Sequence, residues 1–119
     1  MATAVATQWT EDVDQALKEA KPQMANGYRF SFDMLGEAAF TKSDAARYAD
    51  AYRDALEVLA AQTPPDVRDI FARPSISIKL SALHPRYEFV KRERVFAELL
   101  PVLVGLGARA RATNIALTI

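Results

Sequence analysis

The sequence predicts an α/β fold whose strands run parallel, and three observations carry that expectation. Two short segments alternate strictly between apolar and polar residues, 28–34 (YRFSFDM) and 75–81 (SISIKLS). Each is followed by a long amphipathic helical stretch, and the second of these leads into a third, β-branched segment, 114–119 (NIALTI). The resulting order, one helix and then βαβαβ, places neighbouring strands parallel and joins them by right-handed crossovers.

Taken along the chain, residues 1–9 lack a basic region and a long apolar run, so they are no signal peptide and are expected as a frayed terminus. Thr10 is placed to cap a first helix whose first turn carries Glu11, Asp12 and Asp14, acids that complement the helix dipole. That helix is expected to stop near Ala20, because Pro22 disfavours helical geometry at Lys21. Asn26-Gly27 is a turn signal before the first alternating strand. Gly36 and Glu37 follow where this strand leaves the sheet. Thr41 and Asp44 have the spacing of a capping box, with a shorter acid than usual. The helix they start, 42–61, puts Ala45, Tyr48, Ala49, Tyr52, Leu56 and Leu59 on one stripe and is ended by Pro64-Pro65. A connector with a short helical turn around 67–71 reaches the second strand, which Ala82, Leu83, His84, Pro85 and Arg86 close. The last helix, 90–112, carries a stripe of Val95, Leu99, Val102, Leu103 and Leu106, with a kink expected at Pro101.

Composition narrows the function classes. Half of the 119 residues are apolar, and 15 basic side chains balance 15 acidic ones, so no net charge draws the chain to nucleic acid or anionic lipid. The absence of cysteine removes thiolate metal sites and cysteine nucleophiles, and a single histidine is too few for an ordinary zinc centre. No apolar run approaches the ~20 residues of a membrane span. The chain ends within an apolar segment, with no helix to cover the third strand, and a larger α/β protein is the expectation.

The polar phase of the strands is where chemistry is sought. Arg29, Ser31 and Asp33 share one face of the first strand, and Ser75, Ser77, Lys79 and Ser81 one face of the second. Asn114, Ala116 and Thr118 continue this phase in the third. Buried parallel strands normally read as continuous apolar runs, so a polar phase faces water or lines a polar cavity. Asp33 and Lys79 lie near the carboxyl ends of their strands, where α/β folds place ligands, and adjacent strands are only about 4.8 Å apart. Alternation alone is equally consistent with a solvated sheet face bearing ordinary surface charges. Glu37 by itself reads as a loop carboxylate, His84-Pro85-Arg86 as a polar turn before an anion site, and Tyr48 with Tyr52 as helix packing.

Two blocks, 28–41 (YRFSFDMLGEAAFT) and 75–87 (SISIKLSALHPRY), resemble the proline dehydrogenase domain of the bacterial bifunctional proline-utilisation flavoenzymes, the PutA family. They stand in the family's order with a helix of suitable length between them, and the similarity runs on into 114–119. The resemblance implies that residues 1–119 are a partial domain: the N-terminal part, about three strands and their helices, of a (βα)8 TIM-type barrel. It implies an FAD-dependent enzyme that oxidises L-proline to Δ1-pyrroline-5-carboxylate and passes electrons to a quinone. Such a parent is cytoplasmic, with possible peripheral attachment to the inner membrane, and this segment binds no nucleic acid. It assigns Lys79 to the pocket beside flavin and substrate, Asp33 to orienting or neutralising Lys79, and Glu37 to the rim, paired with a substrate-binding arginine supplied elsewhere. The rival reading is a non-catalytic α/β binding or interaction module.

Overall fold

The computed structural model describes residues 5–10, 13–34 and 38–119. Four strands, β1 (Val5–Thr10), β2 (Arg29–Met34), β3 (Ser75–Ser77) and β4 (Ala116–Thr118), form one sheet in the order β1-β2-β3-β4. Every neighbouring pair is parallel. Helices α1 (Val13–Ala25), α2 (Lys42–Gln62) and α3 (Arg92–Thr113) make the crossovers.

The expected elements are present, with four differences. Residues 5–10, expected as part of a loose terminus, form the edge strand β1 and pair with β2 from Val5↔Arg29 to Thr10↔Met34. An edge strand needs a partner on one side only, so this segment joins the sheet without the clear alternation of β2. Thr10 therefore ends a strand instead of capping α1, while Glu11 and Asp12 lie outside the described residues. Helix α1 runs through Pro22 to Ala25. Proline there forfeits one intrahelical bond in the final turn, and the chain closes that turn through Asn26 N–H to Gln23 O (3.0 Å) and Gly27 N–H to Met24 O (3.1 Å). Gly27 takes φ 92, which a side chain would resist.

Strand β3 is shorter than the alternating segment, pairing with β2 only through Ser77, after which a 3-10 turn spans Leu80–Ala82. Helix α3 is continuous through Pro101 and ends at Asn114, a left-handed cap (φ 56) that this residue type tolerates. The capping box of α2 forms as its spacing predicts. Asp44 N–H donates to Thr41 Oγ1 (3.0 Å), and Thr41 N–H donates to Asp44 Oδ2 (3.1 Å).

The core lies on one face of the sheet. Phe30, Phe32, Ile76 and Ile78 are buried there against Leu17 and Ala20 of α1, Leu56 and Leu59 of α2, and Leu99 and Leu106 of α3. At the amino ends of β3 and β4 sits Arg73, only 7% exposed. Its guanidinium donates to four backbone carbonyls: Asn114 (2.6 Å), Val67 (2.9 Å), Thr113 (3.2 Å) and Pro64 (3.3 Å). Planar geometry with five donors lets one side chain tie the α2–β3 connector to the α3–β4 turn.

Arg73→Met keeps a stem of similar length but removes every one of those donors. It is expected to lower unfolding free energy by roughly 2–4 kcal/mol, since hydrogen bonds to charged groups are strong and the carbonyls lose a partner where water enters poorly. Urea denaturation measures this, and a loss within error of zero would contradict the role given to Arg73.

Acid should also loosen the helical layer. The Arg109 guanidinium holds Glu57 below the ordinary carboxylate range, and Arg94, with His84 second, does the same for Glu98. A lowered folded-state pKa contributes stability that is present above the unfolded value, about 4.3 for glutamate, and is lost as pH falls through the folded value. Urea midpoints measured from pH 6 downward should fall in the acid limb, and Glu57→Gln with Glu98→Gln should flatten that limb.

Candidate active site

The polar phase of the strands converges at the carboxyl end of the sheet, opposite Arg73. Register places Ser31 beside Ser75 and Asp33 beside Ser77. Ser31 and Ser77 hydroxyls lie 3.2 Å apart, which puts the two side chains on the same face. All four are half-buried, whereas Phe32 and Ile76 between them are fully buried on the other face. A polar row thus crosses two strands and ends in Asp33, one residue before β2 stops.

Lys79 stands two residues beyond β3. Its backbone is still extended (φ −96, ψ 114), so it keeps the phase of Ser75 and Ser77 while Ile78 is buried. Its side chain is exposed, and among the described residues no carboxylate forms an ion pair with it. Asp33 and Lys79 are therefore brought to the same end of adjacent strands but are not directly paired. Glu37 lies outside the described residues.

Backbone bonds define the rim. Ala39 N–H donates to Ser81 O (2.9 Å), linking the loop after β2 to the loop after β3. Ile78 N–H donates to Thr118 O (2.7 Å), the last contact of β3 with β4. The next amide, that of Lys79, donates to the Tyr52 hydroxyl of α2 at 3.0 Å. Tyr52 is 4% exposed. Burial raises its pKa, the Lys79 amide works against that rise, and the nearby Asp33 charge adds to it. The sequence reading placed Tyr52 among packing residues and missed this bond. The available signal was a phenol in a stripe of alanine and leucine, where a buried hydroxyl needs a partner.

His84 resolves towards the polar turn. It is buried, its Nδ1 accepts from Arg86 N–H (3.0 Å), and its Nε2 lies 2.8 Å from Glu98 Oε2. With Nδ1 accepting, Nε2 is left to donate to Glu98, and both nitrogens are used within the protein. Arg86 pairs instead with Glu88 (3.5 Å). Among the described residues no group of histidine and carboxylates could hold a metal ion.

Comparison with known proteins places this geometry in a family. The model of the family described as "Proline dehydrogenase" matches residues 16–119. The bifunctional protein PutA of Salmonella typhimurium is 44% identical over 109 residues, covering 92% of this chain and 8% of that protein. A crystal structure of a mutant Bradyrhizobium japonicum Proline Utilization A (PutA) superposes with a TM-score of 0.72 at 45% identity, covering 92% of this chain and 11% of that one. The PutA structure from Bdellovibrio bacteriovorus, at 21% identity and a TM-score of 0.76 over 91% of this chain and 12% of that one, shows the shared fold alone. The chain thus spans about a tenth of the length of the relatives it matches. On the family match and on 44% identity over nearly its whole length, this chain belongs to the proline dehydrogenase family.

Proposed function

We propose that this chain contributes the first strands of a (βα)8 barrel that oxidises L-proline to Δ1-pyrroline-5-carboxylate with FAD as cofactor. The observation that carries the reading is the polar row ending in Asp33 and Lys79 at the carboxyl ends of parallel strands, in a chain of this family. Barrel enzymes build their sites at that end. The strand order, in which each strand neighbours its predecessor in sequence, suits a barrel. So does α3, whose Phe96, Leu100 and Val104 stay exposed on the side away from the Glu57–Arg109 contact with α2. A further helix packed there would cover that arc. The non-catalytic module has no observation in its favour.

The residues present fit a flavin site in their chemistry. FAD, when bound, accepts the two electrons released as the ring C–N bond of proline becomes C=N. Lys79 offers an exposed ammonium with no described carboxylate paired to it, a cation able to favour negative charge on an acceptor above the polar row. Asp33 sets the field around Lys79 from the neighbouring strand. Glu37 is read as a rim carboxylate for a substrate-binding arginine outside this segment. Delivery of electrons to a quinone, a cytoplasmic location and peripheral membrane contact complete the reading. Among the described residues no helix is long and apolar enough to cross a membrane.

In the native protein that carries this chain, Lys79→Met should preserve the fold and slow flavin reduction by proline. A loss of about 2–3 kcal/mol in the transition state corresponds to roughly 30- to 150-fold in rate. Asp33→Ala is expected to act mainly through Lys79, so the double variant should be little slower than Lys79→Met alone. Anaerobic stopped-flow absorbance measures each rate. Wild-type reduction in the lysine variant would return Lys79 to an ordinary surface charge, and strictly additive losses would give Asp33 a separate task.

A further inference from the structure

Parallel strands usually end by handing their last amides to a loop or to water. At the end of β3 the hand-over is different. Just past β3, Ile78 N–H donates to Thr118 O of β4 (2.7 Å). The Lys79 amide turns to the side chain of a helix, the Tyr52 hydroxyl at 3.0 Å. Its carbonyl is held as well, accepting from Ala82 N–H at 3.1 Å in the turn that follows. The backbone of Lys79 is therefore fixed on both sides of its Cα while its side chain is exposed.

Tyr52 is itself firmly placed. It lies in mid-helix on α2, whose start is set by the Thr41–Asp44 capping box, and its flanks at Ala49, Ala55 and Leu56 are buried in the core. An aromatic ring held in a close-packed interior has one accessible rotamer, so its hydroxyl is a fixed point. Asp33 is close enough for its charge to act on the same hydroxyl. Tyr52 is thus bonded to the backbone of one site residue and lies within the field of the other.

We infer that Tyr52 is a positioning residue for Lys79: its buried hydroxyl holds the Lys79 amide just beyond the end of β3 and fixes where the lysine ammonium leaves the strand. The inference rests on the proposed role of Lys79 at the flavin site. Tyr52 touches no reacting atom in this account. It acts through the direction in which Lys79 departs.

The test uses the native protein that carries this chain, with Tyr52→Phe, Lys79→Met and the double variant compared by anaerobic stopped-flow reduction with proline. Phenylalanine fills the same volume and removes only the hydroxyl. Tyr52→Phe should slow the limiting rate about tenfold, the effect of losing one well-made hydrogen bond, and should change the proline concentration at half-maximal rate much less. In the Lys79→Met background the same change should cost under about twofold, because there is no ammonium left to place. A purely structural tyrosine would give equal losses in both backgrounds, and that result would overturn the inference.

A second measurement on the unaltered protein covers the case in which Tyr52→Phe fails to fold. Hydrogen exchange resolved at the Lys79 amide should be strongly protected, and exchange at the unstructured rate would overturn the inference. If Lys79→Met reduces flavin at the wild-type rate, the role of Lys79 falls and this inference with it. If Lys79→Met is slow but Tyr52→Phe is not, only the positioning role fails.

Discussion

The constraint on which the rest depends is that the two faces of this parallel sheet have opposite characters. Phe30, Phe32, Ile76 and Ile78 are buried against three helices in one apolar cluster, removed from water. Ser31, Asp33, Ser75 and Ser77 occupy the alternate positions and are half-buried. Because the side-chain period of a strand is two, a slip of one residue would bury Asp33 and expose Phe32 together. The register Phe32↔Ile76 is therefore fixed by the core, and the polar row follows from it. A functional face comes as the complement of a packing face.

The two ends of the sheet divide the remaining work. At the amino ends Arg73 binds four carbonyls from two connectors and is thereby committed to the fold. At the carboxyl ends the charges are less committed: Lys79 is exposed, and Asp33 has no ion-pair partner among the described residues. Barrel enzymes in general divide their ends in this way, with stability at one and chemistry at the other. His84 shows that a polar residue on the upper side need not be chemical. With Nδ1 accepting from Arg86 and Nε2 held by Glu98, its ring serves to anchor the loop after β3 to α3.

What the sequence made legible was local. Alternation in 28–34 and 75–81, the Thr41–Asp44 spacing and the helical stripes each depend on residues within one or two turns of one another, and each formed, the second strand only over Ser75–Ser77. Pro22 misled because a proline signal reports only the cost to its own helix, and here the cost falls in a last turn that Asn26 and Gly27 close. Residues 5–10 gave no sign of a strand, since their order depends on the edge offered by β2. The bonds of Arg73 and Tyr52 join positions from 6 to 41 residues apart, and no pattern in a short window encodes them. Asp33 and Lys79 could be found as a pair of phases on two strands. That they would share one end of the sheet without an ion pair could not, because it depends on where β3 stops.

The stopping point of β3 links fold to function. Had pairing with β2 continued past Ser77, Lys79 would have been one more rung, its direction set by the sheet and its neighbours by register. Ending the strand early frees the lysine to leave the plane but also frees two backbone groups that must be satisfied where water is scarce. The Leu80–Ala82 turn takes the carbonyl, and a helix-borne phenol takes the amide. A water molecule could have served the amide equally well in energy, but it would not have carried the position of α2 to the lysine. The direct bond makes the placement of one side chain on the sheet depend on the packing of a helix behind it, so that substitutions at the α2–sheet interface reach the polar face without touching it.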